Sequence, residues 1–239
     1  MRRFSVTKQF EVNPQKSERV TTVMRMFGVG IDRLKDQQTT HACTVEVDDG
    51  DIVYITGPSG AGKSVLLREM QMGVADDDKI VIEQIALPSD RAAIDCIGGE
   101  AGIENAELRI EKEEVRNTNS MGTIEAISAL SYAGLSDVFC MLNAPANLSE
   151  GQKYRFRLAC ALASGKKFIF ADEFCSNLDR ITAGVIAYNV RRFAKHNNVT
   201  FFLASAHEDI LADLQPDVLV VKNFAGEAEV TYKKTPNHK

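Results

Sequence analysis

Apolar and polar positions along the chain switch between a period of two and a period near four, and the switches lay out strands and helices in turn. Phe4 to Val12 alternates around Val6-Thr7-Lys8-Gln9-Phe10 and predicts a strand, which Asn13-Pro14 breaks. From Ser17 to Leu34 the residues Val20, Val23, Met24, Phe27 and Ile31 recur at helical spacing, interrupted by Gly28 and Gly30. Ala42 to Val47 predicts a second strand, ended by the turn Asp48-Asp49-Gly50. Asp51 to Thr56 is β-branched and apolar and reads as a buried strand; Val65 to Met72 favours a helix. Lys79 to Ile85 predicts another strand, closed by Pro88.

The second half repeats the alternation. Residues 98 to 122 read as a surface insertion, with Glu104 to Val115 rich in Glu and Lys and poor in apolar positions. Thr123 to Leu135 is a helix with Ile124, Ile127, Leu130 and Ala133 on one side and Gly134 near its end. A helix opens at Leu148, runs through Leu158, Ala161 and Leu162, and stops at Ser164-Gly165. Lys167 to Ala171 is a short buried strand, Ile181 to His196 a helix, Val199 to Ala206 a strand, and a short helix starts at Glu208. Val218 to Val221 and Ala228 to Tyr232 close the chain as strands around Gly226. Strands alternating with helices predict an α/β fold whose sheet is largely parallel and covered on both faces. With no internal repeat and no linker, residues 1–239 read as one folded unit.

One junction carries chemistry. Between the buried strand and the helix that follows lies Gly57-Pro58-Ser59-Gly60-Ala61-Gly62-Lys63-Ser64, a G-x-x-x-x-G-K-S loop. Its glycines let successive N–H groups turn inward toward phosphate oxygens, at the positive end of the helix dipole. Lys63 is placed to reach the β- and γ-phosphates of a nucleotide and Ser64 to ligate Mg²⁺. A glycine turn that binds nothing is the plain alternative, and the strand–loop–helix setting weighs against it.

Composition narrows the class further. Net charge is −5, which argues against a surface that is mainly a phosphate-binding face; Lys153 to Arg157 and Arg191-Arg192 are local basic clusters that read first as solvated helix faces. Cys43, Cys96, Cys140, Cys160 and Cys175 are odd in number and lack C-x-x-C spacing, as expected of a reducing compartment. No apolar run approaches the roughly 20 residues of a membrane span, and Met1-Arg2-Arg3-Phe4 lacks the apolar core of a signal peptide. The expectation is a soluble, cytoplasmic protein.

Four further patches follow the loop. Phe168 to Ala171 is an apolar strand ending in Asp172-Glu173; beside the loop, Asp172 can hold a Mg²⁺ shell and Glu173 can act as general base on the attacking water. Such a pair is also the ordinary polar exit from a core. Leu148-Ser149-Glu150-Gly151-Gln152 opens a helix, where Ser149 and Gln152 fit a capping box and the helix start can also receive an anion. Ser176-Asn177-Leu178-Asp179 follows the acids. His207 comes after the strand Thr200 to Ala206, in reach of a γ-phosphate or in a structural role.

Together these patches resemble the nucleotide-binding domain of ABC (ATP-binding cassette) ATPases over roughly residues 4 to 232. Gly57 to Ser64 is similar to the Walker A loop, and Leu148 to Gln152 to the LSGGQ signature with Glu150 in its third place. Asp172 and Glu173 are similar to the Walker B aspartate and catalytic glutamate, Ser176 to Asp179 to the D-loop, and His207 to the switch histidine. Gln84 looks like the Q-loop glutamine, although it comes sooner after Lys63 than is usual in the family. Phe10 looks like the aromatic that stacks on adenine, with Phe27 as a rival. The resemblance implies an α/β P-loop NTPase with a mainly parallel sheet, an antiparallel β subdomain and a helical signature subdomain near 98–160. It also implies ATP and Mg²⁺, with Ser64, Gln84 and Asp172 at the metal. Ser149, Gly151, Gln152 and Asp179 would act on nucleotide across a head-to-tail homodimer.

The finer pattern resembles stand-alone ABC-type ATPases of bacteria, archaea and phages, some fused to a predicted acetyltransferase domain. It is carried by Gly57 to Leu67, Leu148 to Leu158, Ala171 to Ala183 and Gln215-Pro216-Asp217. Two functions follow from the resemblance: an ATPase driving conformational work on a soluble protein or nucleic-acid partner, or the ATP-binding subunit of a membrane transporter. The compressed stretch before Gln84 and the charged insertion behind it favour the first. A P-loop kinase or regulator has no need of the Leu148 to Gln152 patch or a histidine at position 207.

Overall fold

The computed structural model describes residues 1–10, 17–30, 39–98, 119–224 and 226–233. Its frame is a six-stranded sheet in the order β4-β5-β6-β3-β7-β8, formed by β3 (Ile52–Thr56), β4 (Lys79–Val81), β5 (Phe168–Ala171), β6 (Thr200–Ala204), β7 (Val218–Val221) and β8 (Glu229–Tyr232). All neighbours are parallel except β7 and β8. A separate antiparallel pair, β1 (Arg2–Phe10) and β2 (Thr39–Val47), completes the mixed architecture.

The central strands are apolar throughout because both faces are covered. Ile52 and Tyr54 of β3, with Ile169, Phe201 and Leu203, enter one core. Val53 and Ile55, with Phe168, Phe170 and Phe202, enter the other. The first core is closed by α3 (Asn119–Tyr132), α5 (Glu150–Ala163) and α6 (Arg180–Asn197). The second is closed by α2 (Lys63–Met72), through Leu66, Leu67 and Met70, and by Phe4, Val6, Cys43 and Val45 of the β1–β2 pair. Phe170 and Phe202 stack at 4.9 Å inside it.

Elements differ from the sequence expectation mostly at their ends. The first helix, α1 (Glu18–Met26), is capped by Ser17 and ends at Phe27, before the left-handed Gly28. The strand expected over Lys79 to Ile85 stops at Val81, and a 3₁₀ turn covers Ile82–Gln84. The cause is tertiary: the Glu83 carboxylate turns to accept the Asp172 backbone N–H at 2.9 Å. The helix read from Leu148 begins two residues later, at Glu150, with Ser149 as cap. The strand read over Val199 to Ala206 is cut to Thr200–Ala204. The short helix expected from Glu208 is α7 (Leu211–Leu214). The charged stretch Glu104 to Val115 lies outside the described residues, as do Glu11 to Lys16 and Ile31 to Gln38.

Between α3 and α5 runs the short α4 (Val138–Leu142). Gln152 Nε2 donates to Cys140 Sγ at 3.1 Å and Arg155 Nη1 to Gly134 O at 2.7 Å, so α5 is tied to α4 and to the end of α3. All five cysteines are free, and burial raises the Cys43 thiol to about 11 and those of Cys160 and Cys175 to about 12.

Candidate active site

β3, the central strand, delivers the chain at its C-terminal end into the glycine loop, and α2 takes it away. Two glycines are required by close approach as well as by their left-handed backbone. At Gly57 (φ +139°) an added Cβ would lie 2.0 Å from the Lys222 carbonyl oxygen, and at Gly62 (φ +97°) it would lie 2.2 Å from the His41 ring. Gly62 is the N-cap of α2 and, unlike Ser149 and Asp179 on α5 and α6, brings no side chain to the first N–H groups of its helix. That leaves a helix start open to receive an anion. Lys63 Nζ meanwhile holds the loop's own carbonyls, Gly57 O at 2.8 Å and Pro58 O at 3.0 Å. Pro58, Ser59 and Gly60 are exposed and Ala61 is buried.

The loop faces the ends of β5 and β6 across a cleft of about 410 Å³. Ser59, Gly60, Gly62, Lys63 and Ser64 form one wall; Asp172, Glu173, Ser176, Ser205 and His207 form the other. The turn after β5 is held in an unusual shape. Glu173 and Cys175 both have left-handed backbones, at φ +51° and +59°. Such a backbone costs on the order of 1 kcal/mol per residue outside glycine. Buried Phe174 between them offsets it, donating its N–H to Ala204 O at 2.8 Å, while Cys175 N–H reaches the Tyr154 hydroxyl at 3.2 Å. Glu173 N–H donates to Asp172 Oδ1 at 3.1 Å. Desolvation by the surrounding protein raises the Glu83 carboxyl, which receives the Asp172 N–H. His207 is exposed toward the cleft on a pinned backbone: its N–H donates to Ser205 Oγ at 3.2 Å, and the Tyr54 hydroxyl donates to its carbonyl.

The remaining candidates lie elsewhere. Ser149 and Gln152 form a complete capping box at the start of α5, Ser149 N–H donating to Gln152 Oε1 at 2.9 Å. Glu150 is neutralised by Lys153 at 2.8 Å, which holds its carboxyl below the usual range. Gly151 abuts Asn177 and Leu178, where a Cβ would meet Leu178 at 3.2 Å. Asp179 caps α6 by accepting Thr182 N–H at 3.0 Å, and hydrogen bonds from the Thr182 side chain and then its backbone hold the carboxyl below its usual value. None of Ser149, Gly151, Gln152 or Asp179 lines the cleft formed by the glycine loop of the same chain. Gln84 is exposed on its 3₁₀ turn and does not line it either. Phe10 ends β1 opposite Thr39, and its side chain lies outside the described residues. The competing Phe27 is exposed at the end of α1.

The sequence reading did not single out Tyr54, Glu83, His41 or Lys222. Each is a polar residue in or next to an apolar strand, and that interruption was the available signal. Among the described residues no group of three or more His, Cys, Asp or Glu side chains could hold a metal by itself. Ser64 and Asp172, on opposite walls, are the oxygen donors that suit Mg²⁺ carried in with phosphates.

A glycine loop on a helix start, facing an acid pair at the end of a parallel strand, defines a P-loop ATPase. Residues 40–176 match the family described as ABC transporter, and the chain belongs to that family of ATP-hydrolysing cassettes. It is similar to the methionine import ATP-binding protein MetN of Mannheimia succiniciproducens, 28% identical over 74% of this chain and 55% of that one. It is similar also to MetN of Streptococcus pyogenes, 29% identical over 75% of this chain and 56% of that one. The chain thus spans about half the length of the curated relatives it matches. Among solved structures, a dimeric post-hydrolysis state of the ATP-binding cassette MJ0796 bound to ADP and Pi superposes with a TM-score of 0.63. The two are 19% identical, over 84% of this chain and 94% of that one. cbiO1 from Clostridium perfringens, part of the ABC transporter complex cbiONQ, gives 0.57 at 16% identity over 79% of each chain. At these identities the structural likeness speaks for the fold.

Proposed function

We propose that this chain is the ATP-binding subunit of a membrane ABC transporter, working as a pair of copies that close head to tail around Mg-ATP. The observation that carries it is the likeness to import ATP-binding proteins over three quarters of the chain. It displaces the soluble partner that the short stretch before Gln84 favoured. A physical feature supports it: Val138, Phe139 and Leu142 of α4 are exposed apolar side chains. They stand beside the 88–97 segment, which is tied to α4 and its following turn by Ala93 N–H to Asn143 O at 2.9 Å and Ala146 N–H to Pro88 O at 3.1 Å. Such a patch suits an apolar partner segment. No helix among the described residues is long and apolar enough to cross a membrane.

In this reading residues 1–239 act as one ATPase unit whose helical signature part is α3 to α5. The loop N–H groups and Lys63 bind the phosphates, and Ser64 and Asp172, with Gln84 near them, would hold Mg²⁺, which would supply charge neutralisation for the γ-phosphate. Glu173 takes the proton of the attacking water, and His207 faces the γ-phosphate from β6. Ser149, Gly151, Gln152 and Asp179 reach the nucleotide of the other copy, and Phe10 stacks on the base. A tagged chain produced in the cells that carry it should sediment with membranes and co-purify with an integral membrane protein. Recovery wholly in the soluble fraction, without one, would overturn the transporter reading and leave the ATPase standing.

A further inference from the structure

A buried lysine stands beside the phosphate loop. Lys222 directly follows β7 and extends its pairing with β3, its N–H donating to Thr56 O at 2.8 Å. Its carbonyl oxygen fills the space that any side chain on Gly57 would need. Its own side chain is 0% exposed, and Nζ donates to Asn223 O at 2.7 Å and Gly226 O at 2.9 Å, curling the β7–β8 turn back on itself. The turn touches the loop again at Phe224, whose Cε1 lies 3.8 Å from a Cβ on Gly60. On the other side of the loop the His41 ring is pressed against Gly62. Lys222 is near enough to add its charge to the burial that lowers the His41 pKa.

Among the described residues no carboxylate forms an ion pair with Lys222, and burial alone lowers its pKa. An ammonium group held by neutral carbonyls in the interior is costly to bury, and its field is not cancelled locally. The feature next to it that receives an anion is the glycine loop.

We propose that Lys222 is a positioning residue for nucleotide binding: it clamps the β7–β8 turn against Gly57 and Gly60 and supplies a fixed, buried positive charge beside the phosphates. This rests on the nucleotide reading of the loop and is independent of which partner the ATPase drives. A clamp without an electrostatic part would affect all nucleotides alike. A buried charge acts in proportion to the charge it attracts.

The test is Lys222→Met in the full chain, with ATP, ADP and AMP affinities measured by calorimetry and melting curves taken without nucleotide. Methionine fills similar volume without the buried charge but leaves the Asn223 and Gly226 carbonyls without their donor, so the nucleotide-free midpoint should fall modestly. ATP affinity should fall on the order of tenfold, ADP affinity less and AMP affinity least, and the salt dependence of ATP binding should flatten. An equal loss for all three, or no loss, overturns the proposal. If Lys222→Met does not fold, Lys222→Gln, which can still donate to a carbonyl, is taken through the same series: a graded loss supports the proposal and an ungraded one overturns it. Wild type that binds none of the three would overturn the reading of the loop, and the proposal with it.

Discussion

The hydroxyl of Tyr54, on the central strand, donates a hydrogen bond to the backbone carbonyl of His207. Tyr54 is fully buried, and burial raises its phenol to about 12, so the donor is present at every working pH. The bond ties the strand that launches the phosphate loop to the segment that presents the histidine. Tyr54→Phe should cost about 1 kcal/mol of stability, the usual net worth of such a bond. It should lower kcat several-fold while ATP affinity stays the same. Steady-state kinetics beside a nucleotide titration will check this; an equal fall in affinity would mean that the bond supports binding instead.

Lys63→Ala should remove nucleotide binding and spare the fold, since Lys63 Nζ contacts loop carbonyls and no core. The wild-type midpoint should rise with Mg-ATP, by mass action on the native state, and the mutant midpoint should not. A normal rise in the mutant would remove Lys63 from the site.

Glu173 makes two separable predictions. Glu173→Gln keeps size and hydrogen bonding, so ATP should still bind and hold a dimer while hydrolysis drops by about 10²–10⁴-fold. Size-exclusion with light scattering tests the dimer. Glu173→Gly should be equally inactive yet more stable by about 1 kcal/mol, because glycine accepts the left-handed backbone at φ +51°. A Glu173→Gln protein that turns over at the wild-type rate would move the general base elsewhere.

Glu83 links pH to the Asp172 side of the cleft. Its carboxyl is raised from 4.5 by desolvation, so the folded protein favours the protonated form. The sign follows: stability present below the ordinary value is lost as pH climbs toward the raised one. Glu83→Gln keeps an acceptor for the Asp172 N–H and carries no charge, so its midpoint should gain on wild type as pH rises across the weakly acidic range. Melting curves at several pH values decide it; a gap that shrinks with rising pH contradicts the assignment.

Ser149→Arg and Lys63→Ala damage different halves of the proposed composite site. Each alone should be inactive, and an equal mixture should regain about a quarter of wild-type activity, because half the pairs hold one intact site. Mixed dimers that form without activity would argue against the head-to-tail pairing.

The strands and the loop were legible because each leaves its mark in consecutive residues. Strands covered on both faces must be apolar, as Ile52 to Ile55 and Phe168 to Ala171 are, and a phosphate loop must place glycine where no Cβ fits. What the sequence hid is set by contacts between distant segments. Lys79 to Ile85 has a strand's composition, yet Glu83 leaves the sheet to meet Asp172, far along the chain. Gly57 is compulsory because of Lys222, which reads in the sequence as the plain polar end of an apolar strand. The Ser149–Gln152 cap was legible as a local pair, whereas its separation from the loop cleft is a matter of how α5 packs.

That separation has a kinetic consequence. The residues around Ser149 do not line the cleft that Lys63 and Glu173 share, so one copy can load nucleotide but holds only part of the proposed machinery. Turnover then becomes a bimolecular event. In dilute solution the rate should climb with the square of protein concentration and straighten to first order once pairing saturates. In a transporter, where two copies are tethered side by side, that dependence disappears, and the membrane partners set the pace by fixing the local concentration of one cassette around the other.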